Sequence, residues 1–136
     1  MNKIEFLDFQ GVIDNIQKIE TMLHEVVDND PGYTIETELQ GLVGGQMGAL
    51  IINDFEALTI VELMNTPVQR VCWLKWMVGK NMDKWLPDML AYLEDFAKAQ
   101  GCKLMEFNGR KGYMRKYGDL FPDYKITQIV VRKVLE

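Results

Sequence analysis

The sequence has few of the residues that bind transition metals or form disulfides. Its 136 residues include one histidine, His24, and two cysteines, Cys72 and Cys102, which lie within or beside apolar segments. A zinc or iron site needs several histidine, cysteine or carboxylate ligands close together, so this scattered set predicts no metal site. Two cysteines are also too few for a disulfide framework, and we expect reduced core thiols in a cytoplasmic protein.

Long apolar runs and an excess of positive charge are missing as well. No segment approaches the roughly 20 apolar residues that span a bilayer, and the first residues lack the basic and then apolar order of a secretion signal. The net charge of −5 and the pI near 4.9 disfavour nucleic acids and anionic membranes as partners. We therefore expect a single domain over residues 1–136, with neither kind of partner.

The hydrophobic pattern of the first half predicts a strand, two helices and a three-stranded meander. Apolar residues recur at three- and four-residue steps over 12–26, as in an amphipathic helix. A second helix is predicted over 34–42, with Thr34 as its N-cap. Short turns separate the three strands that follow, which favours antiparallel pairing. The predicted strands are 3–7, 47–53, 58–64 and 68–78.

The period of the apolar residues changes after Asp83. A helix is predicted from there to Gly101, followed by a buried strand over 103–108, a surface helix over 109–117 and a final strand over 126–134. The predicted order is β-α-α-β-β-β-α-β-α-β. A meander followed by a β-α-β crossover predicts an α/β (α+β) fold, in which helices cover both faces of a mixed, mostly antiparallel sheet.

Two segments carry a recognisable pattern, LAYLEDFAKAQGC over 90–102 and NGRKGYMR over 108–115. They give a helix ending in Ala-x-x-x-Gly-Cys, a buried strand, and then Gly-Arg-x-Gly-aromatic-x-Arg. In this series and in its predicted topology, the chain resembles the GNAT superfamily of acyl-CoA-dependent N-acetyltransferases. It is most similar to the small GNAT-like proteins of tailed bacteriophages and prophages.

The resemblance implies an acetyl-CoA site where the fourth predicted strand separates from the fifth. The pantetheine arm would pair with the end of the fourth strand, and the pyrophosphate would lie on the loop before the next helix, where a helix N-terminus favours an anion. Residues at the end of the fifth strand and just after it would complete the site. The predicted cofactor-binding residues are Met77, Val78, Gly79, Lys80, Asn81, Asn108 and Arg110.

The predicted phosphate loop departs from the family's Gln/Arg-x-x-Gly-x-Gly/Ala pattern. Residues 79–84 contain one glycine and no second small residue, and Asp83 places a carboxylate near the expected diphosphate. Two like charges about 4 Å apart repel by about 4 kcal/mol at an effective dielectric constant near 20, although Lys80 and Lys84 offset part of this. The loop therefore predicts weak or absent acetyl-CoA binding.

The family's chemistry implies a base for the acceptor amine and a proton donor for the departing thiolate, often a tyrosine in the last helix. Glu62, on the third predicted strand, is the candidate base, and a solvent-facing role is its alternative. Tyr113 and Tyr117 are the candidate donors, since the motif fits either register. The basic residues from Arg110 to Lys116 are compatible with a phosphate site, a docking face or a solvated surface.

Two main functions follow from these observations, beside a third in which the domain senses a CoA-like ligand without turnover. The first is a degenerate GNAT-fold protein of phage type, which works through a protein partner such as a phage structural protein, in virion assembly or another interaction. It would have weak or no acetyl-CoA chemistry and would lie in the host cytoplasm or the virion. The alternative is an active acyl-CoA-dependent N-acetyltransferase whose acceptor is a small-molecule or protein amine.

Overall fold

The computed structural model describes residues 1–109, 117–128 and 130–135. Five strands form one sheet in the order β1-β2-β3-β4-β5. Neighbouring strands are antiparallel except β4 and β5, which are parallel. The elements are β1 Ile4–Phe6, α1 Phe9–Asp14, α2 Ile16–Val27, α3 Ile35–Val43, β2 Met47–Ile52, β3 Ala57–Asn65, β4 Arg70–Gly79, α4 Met82–Ala99, β5 Leu104–Phe107 and a 3-10 turn at Gly118–Leu120.

Helices cover both faces of the sheet, as the sequence predicted. Helices α1 to α3 pack on one face, where Leu23 and Ile60 belong to one buried cluster. Helix α4 packs on the other face, where Leu74 and Leu86 belong to a second cluster. We call these two faces the α3 face and the α4 face. The predicted mixed, mostly antiparallel α/β fold is confirmed.

The helices begin and end largely where local chemistry predicted. Thr34 caps α3, because its hydroxyl accepts the Thr37 N–H and the Thr37 hydroxyl accepts the Thr34 N–H. The helix predicted over 12–26 is instead two helices separated at Asn15. The Asn15 side-chain amide donates to the Gly11 carbonyl at 2.8 Å, and this local bond competes with helix continuation.

Strand β4 contains a bulge at Lys75. Ile60 pairs with Trp76 and Val61 with Leu74, so Lys75 is an extra residue opposite β3. Strict alternation over the predicted strand places Lys75 and Trp76 on opposite faces. With the bulge, both side chains reach the α3 face, where both contact Glu38.

Strands β4 and β5 pair over a short stretch only. They pair from Val71–Leu104 to Leu74–Phe107, and β4 then continues to Gly79. Within the described residues, no strand pairs with the β5 side of this extension. Strand β4 thus extends beyond the last residue pair that it forms with β5.

The predicted final strand over 126–134 is not formed in the described residues 126–128 and 130–135. Ile126, Val131 and Val134 are 71%, 89% and 74% exposed. Their β-branched side chains favour a strand only when a neighbouring strand and a packed face accompany them, and the described part of the chain supplies neither here. The predicted helix over 109–117 lies almost wholly outside the described residues.

Candidate functional site

A buried network of charged side chains lies between α3 and the middle of β4. Lys75 Nζ is 3.0 Å from Glu38 Oε1 and 3.6 Å from Glu62 Oε1. The Trp76 indole N–H also donates to Glu38 Oε1, at 3.1 Å. The side chains of Glu38 and Lys75 are 3% and 9% exposed, whereas that of Glu62 is 27% exposed. Glu62 is therefore the carboxylate of this network that faces solvent.

Aromatic rings cover the Lys75 ammonium. Its Nζ lies 4.4 Å from the centroid of the Tyr33 ring and 5.3 Å from that of Trp73, within the range of cation–π attraction. Tyr33 meets Trp76 edge-on, with ring centroids 5.4 Å apart. Removing charges from water costs several kcal/mol per ion unless they are well paired. Buried charged clusters beside a pocket are accordingly candidates for function.

An open pocket of about 430 Å³ adjoins the network. Two carboxylates and one ammonium give its wall a net charge of −1, so the wall attracts a cationic group. Glu62 lies at this wall, where a carboxylate can accept a proton from a bound amine. The residues that line the pocket include Tyr33, Thr37, Glu38, Gln46, Glu62 and Lys75.

The end of β4 carries three of the predicted cofactor-binding residues. Met77 packs on the α4 face and Val78 on the α3 face, while their backbones pair with β3. Gly79 ends the strand with a φ of 146°. A strand edge without a partner can take up an extended chain through main-chain hydrogen bonds. The geometry of this edge thus fits an extended ligand arm.

The loop between β4 and α4 contacts a carboxylate that sequence reasoning missed. Glu56, between β2 and β3, accepts hydrogen bonds from Asn81 Nδ2 at 3.1 Å and Lys84 Nζ at 3.2 Å. A third bond from Asn53, at 2.8 Å, is the main cause of a lowered Glu56 pKa, to which Asn81 and Lys84 also contribute. Lys84 is therefore paired with Glu56, while Asp83 occupies the first turn of α4.

Contacts within the chain also fix the backbone of this loop. The Lys80 N–H donates to the Glu56 carbonyl at 3.3 Å, and the Lys80 carbonyl accepts the Trp85 indole N–H at 2.6 Å. Asn81 has a left-handed backbone, with φ 60° and ψ 44°, immediately before α4. Lys80 and Asn81 thus lie at the strand–helix junction, where the sequence placed them.

Two of the remaining predicted site residues, Asn108 and Tyr117, lie within the described part of the chain. Asn108 directly follows β5, one residue beyond the Leu74–Phe107 pair. Tyr117 packs against the cluster on the α4 face, opposite the face where Glu62 meets Lys75. Two predicted residues lie outside the described part of the chain, Arg110 and Tyr113.

Glu38 is the second residue that sequence reasoning missed, and a signal for it was present. Ile35, Glu38 and Leu42 are all buried residues of α3, spaced three and four residues apart on one face. A carboxylate in an apolar stripe is rarely buried without a partner. The pattern thus indicated a buried ion pair, although not the identity of its lysine.

Two kinds of feature are absent from the described residues. No group of three or more His, Cys, Asp or Glu side chains there is placed to hold a metal ion. No helix there has both the length and the apolarity needed to cross a membrane. Cys72 and Cys102 are buried and not bonded to each other, which agrees with their predicted place in the core.

Comparison with known proteins finds similarity in structure alone. No family model matches the sequence, and no curated protein sequence does. An aminoglycoside acetyltransferase from an uncultured soil metagenomic sample superposes with a TM-score of 0.71 at 12% identity, over 99% of this chain and 97% of that one. The chain has the GNAT acetyltransferase fold.

Two further structures share the GNAT fold. A predicted acetyltransferase with acetyl-CoA from Clostridium acetobutylicum gives a TM-score of 0.69 at 15% identity, over 98% of this chain and 96% of that one. A ribosomal-protein-alanine N-acetyltransferase from Brucella melitensis biovar Abortus 2308 gives a TM-score of 0.67 at 14% identity, over 98% of this chain and 100% of that one. At such identities the comparison establishes the GNAT fold of the chain.

Proposed function

We propose that this protein is an acyl-CoA-dependent N-acetyltransferase whose acceptor is a primary amine. The observation that carries the proposal is the position of the acidic pocket. Glu62 lines the pocket next to Lys75, and Lys75 is the first residue of β4 beyond its pairing with β5. A carboxylate therefore lies beside the strand end that fits an extended ligand arm. Structural neighbours with the same fold include one described with acetyl-CoA.

The residues at the end of β4 fit the arm of acetyl-CoA better than the loop fits its phosphates. The backbone of Met77 and Val78 would hold the arm, with Gly79, Lys80 and Asn81 at the phosphates and Asn108 across the gap. The cofactor would supply an activated acyl thioester. Glu56 and Asp83 place two carboxylates near the phosphate end, so we expect affinity below that of a loop rich in small residues.

The chain's own contribution is to bind the amine and remove its proton. The net negative pocket wall would attract the ammonium form, and the Glu62 carboxylate would accept the proton that makes the nitrogen nucleophilic. Tyr113 or Tyr117 stays the candidate donor to the leaving sulfur. The attacking nitrogen and the leaving sulfur are bonded to one carbon, so Tyr117, which packs on the α4 face, would have to reach that carbon past the edge of β4.

Binding and transfer are tested on the purified chain. Titration calorimetry with acetyl-CoA should give a measurable heat, and mass spectrometry of a panel of amines should show a gain of one acetyl group. Glu62→Gln should lower kcat by at least roughly a hundredfold, the usual contribution of a general base. Glu25→Gln, at an exposed position on α2, is the matched control and should retain activity. No heat and no acetyl transfer at millimolar acetyl-CoA would contradict the proposal.

The Glu56 contacts favour a second candidate, a GNAT-fold interaction protein without acetyl transfer. Asn81 and Lys84 already serve an internal carboxylate, and this supports a loop that no longer binds a diphosphate. Such a protein would work through a protein partner, with phage structural proteins and the host cytoplasm or virion as the settings that the sequence resemblance suggests. Acetyl-CoA should then neither raise the Tm nor release heat, while Glu62→Gln leaves the biological effect intact.

A further inference from the structure

We infer that Lys75 is a positioning residue, which holds the Glu62 carboxylate at the pocket wall by linking it to Glu38. This inference rests on the proposed function, since Glu62 is the base of that reaction. The geometry that carries it is a chain of contacts from Trp76 through Glu38 and Lys75 to Glu62. The four residues come from α3, β3 and β4, so their alignment is a property of the fold.

The first half of this chain of contacts fixes the ammonium. The Trp76 indole N–H and Lys75 both bind Glu38 Oε1, at 3.1 and 3.0 Å, and Lys75 also donates to Glu38 Oε2 at 3.2 Å. The β4 bulge makes this arrangement available, because it places Lys75 and Trp76 on the same face. The rings of Tyr33 and Trp73 cover the ammonium, so few other positions are open to it.

The second half of this chain of contacts, from Lys75 to Glu62, orients the Glu62 carboxylate and leaves it open to the pocket. Its Oε1 lies 3.6 Å from Lys75 Nζ. This distance is too long for a good hydrogen bond but short enough for the two charges to attract each other. The charged groups around it are Lys75 from β4 and Glu38 from α3, and the Tyr33 hydroxyl belongs to the same pocket. Without the ammonium, the carboxylates of Glu38 and Glu62 would repel each other, and the more exposed Glu62 would turn towards solvent.

The experiment compares Lys75→Met, Lys75→Arg and Lys3→Met in the full chain. Lys3→Met makes the same chemical change in an exposed ion pair with Glu5. For Lys75→Met we expect kcat/KM for the amine to fall roughly ten- to a hundredfold, a part of what a positioned base contributes, with KM for acetyl-CoA unchanged. Lys75→Arg should restore most activity, and Lys3→Met should match the original chain.

A comparison of crystal structures tests the inference independently of catalysis. Crystal structures of the Lys75→Met and Lys75→Arg chains should show Glu62 turned out of the pocket in the first and retained in the second. If the original chain transfers no acetyl group, the proposed function fails, and the displacement of Glu62 still decides the positioning role. An unchanged Glu62 position in Lys75→Met, or an unchanged kcat/KM for the amine in a folded variant, would overturn the inference.

Discussion

Glu38 Oε1 lies 3.0 Å from Lys75 Nζ, and this contact joins helix α3 to the bulge of strand β4. Both side chains are nearly removed from water. Losing one partner of a buried ion pair leaves the other charged and unpaired, which typically costs about 3–5 kcal/mol. Replacing both partners with apolar groups avoids that penalty. A single substitution in this pair should therefore cost more stability than the replacement of both residues by apolar ones.

We expect Glu38→Gln to lower the free energy of unfolding by roughly 3 kcal/mol, because it leaves the Lys75 ammonium without its main counter-ion. Urea denaturation measures the change. Glu36→Gln, at an exposed position of the same helix, should change stability by less than about 0.5 kcal/mol. In Glu38→Gln/Lys75→Met, much of the lost stability should return. Strictly additive losses in this double-mutant cycle would show that the two residues are not coupled.

The close approach of Gly79 to Ala57 leads to a second expectation. A Cβ at Gly79 would lie 2.5 Å from Ala57 Cβ and 2.7 Å from the Glu56 carbonyl oxygen, and the φ of 146° disfavours any side chain. Gly79→Ala should therefore cost on the order of 3 kcal/mol of stability, combining strain and overlap.

A substitution at Gly45 distinguishes backbone strain from atomic overlap. Its φ is 81°, and a Cβ there would meet no atom within 4 Å. Gly45→Ala should cost only about 1 kcal/mol, from backbone strain alone. Urea denaturation of both variants gives the comparison, and equal losses would mean that the contact of Gly79 with Ala57 has no energetic effect. A consequence is that substitutions at Gly79 are poor probes of ligand binding, because they disturb the protein itself.

The fold was predictable because its signals are local. Thr34 carries a capping hydroxyl beside the start of an apolar stripe, and Gly101 stops α4 in the left-handed conformation that glycine adopts readily. The three strands between residues 47 and 79 are separated by short turns and pair in sequence order. Local signals fail at the end of the chain, since apolar residues around Val131 predict a strand but supply no partner for it.

The candidate site was only half predictable because its key contacts are not local. Glu62 and Gly79 could be placed from the strand order alone. The bulge at Lys75 could not, since the side-chain alternation of β4 gives no sign of an extra residue. Glu56 meets Asn81, 25 positions later, and a charged residue in a turn is ordinarily solvated. The residues that define the charge of the site were thus visible only in three dimensions.

The Cys72 thiol makes the stability depend on alkaline pH. Burial, with a smaller effect of Cys102, raises the pKa of Cys72 from 9.0 to about 11. Above about pH 9 the unfolded chain ionises at this residue while the folded chain keeps its proton. The free energy of unfolding should therefore fall as the pH rises from about 9 to 11.

Urea denaturation of the original chain and Cys72→Ala, in the presence of a reductant, measures this dependence. The loss of stability between about pH 9 and 11 should be smaller in the variant, since its unfolded state has one thiol fewer to ionise. Tyr124, whose pKa is raised by burial and Glu94 and to a smaller extent by Cys72, is present in both chains, so most of its effect cancels. Identical pH dependences would show that Cys72 ionises alike in the folded and unfolded chain.

The Glu56 carboxylate occupies the donors nearest to the start of α4, so removing its charge should strengthen binding of a diphosphate. We expect Glu56→Gln to bind coenzyme A about tenfold more tightly, because Lys84 and Asn81 become available for charge-assisted bonds to the phosphates. Asp83→Asn is the matched control, since it removes a nearby charge without releasing Lys84. It should give a smaller gain in the same calorimetric titration.

At neutral pH, Glu56→Gln should lower the stability of the folded chain, although it raises the affinity for coenzyme A. Because the pKa of Glu56 is lowered in the folded chain, Glu56 stabilises the fold above its ordinary pKa of 4.5. This stabilisation is lost as the pH falls below that value. Glu56→Gln should therefore lower the Tm at pH 7 and reduce the further decrease of Tm on acidification. A variant that loses stability without gaining affinity for coenzyme A would indicate that Glu56 only braces the loop. A gain in both stability and affinity would contradict the role of its hydrogen bonds with Asn53, Asn81 and Lys84 in the folded chain.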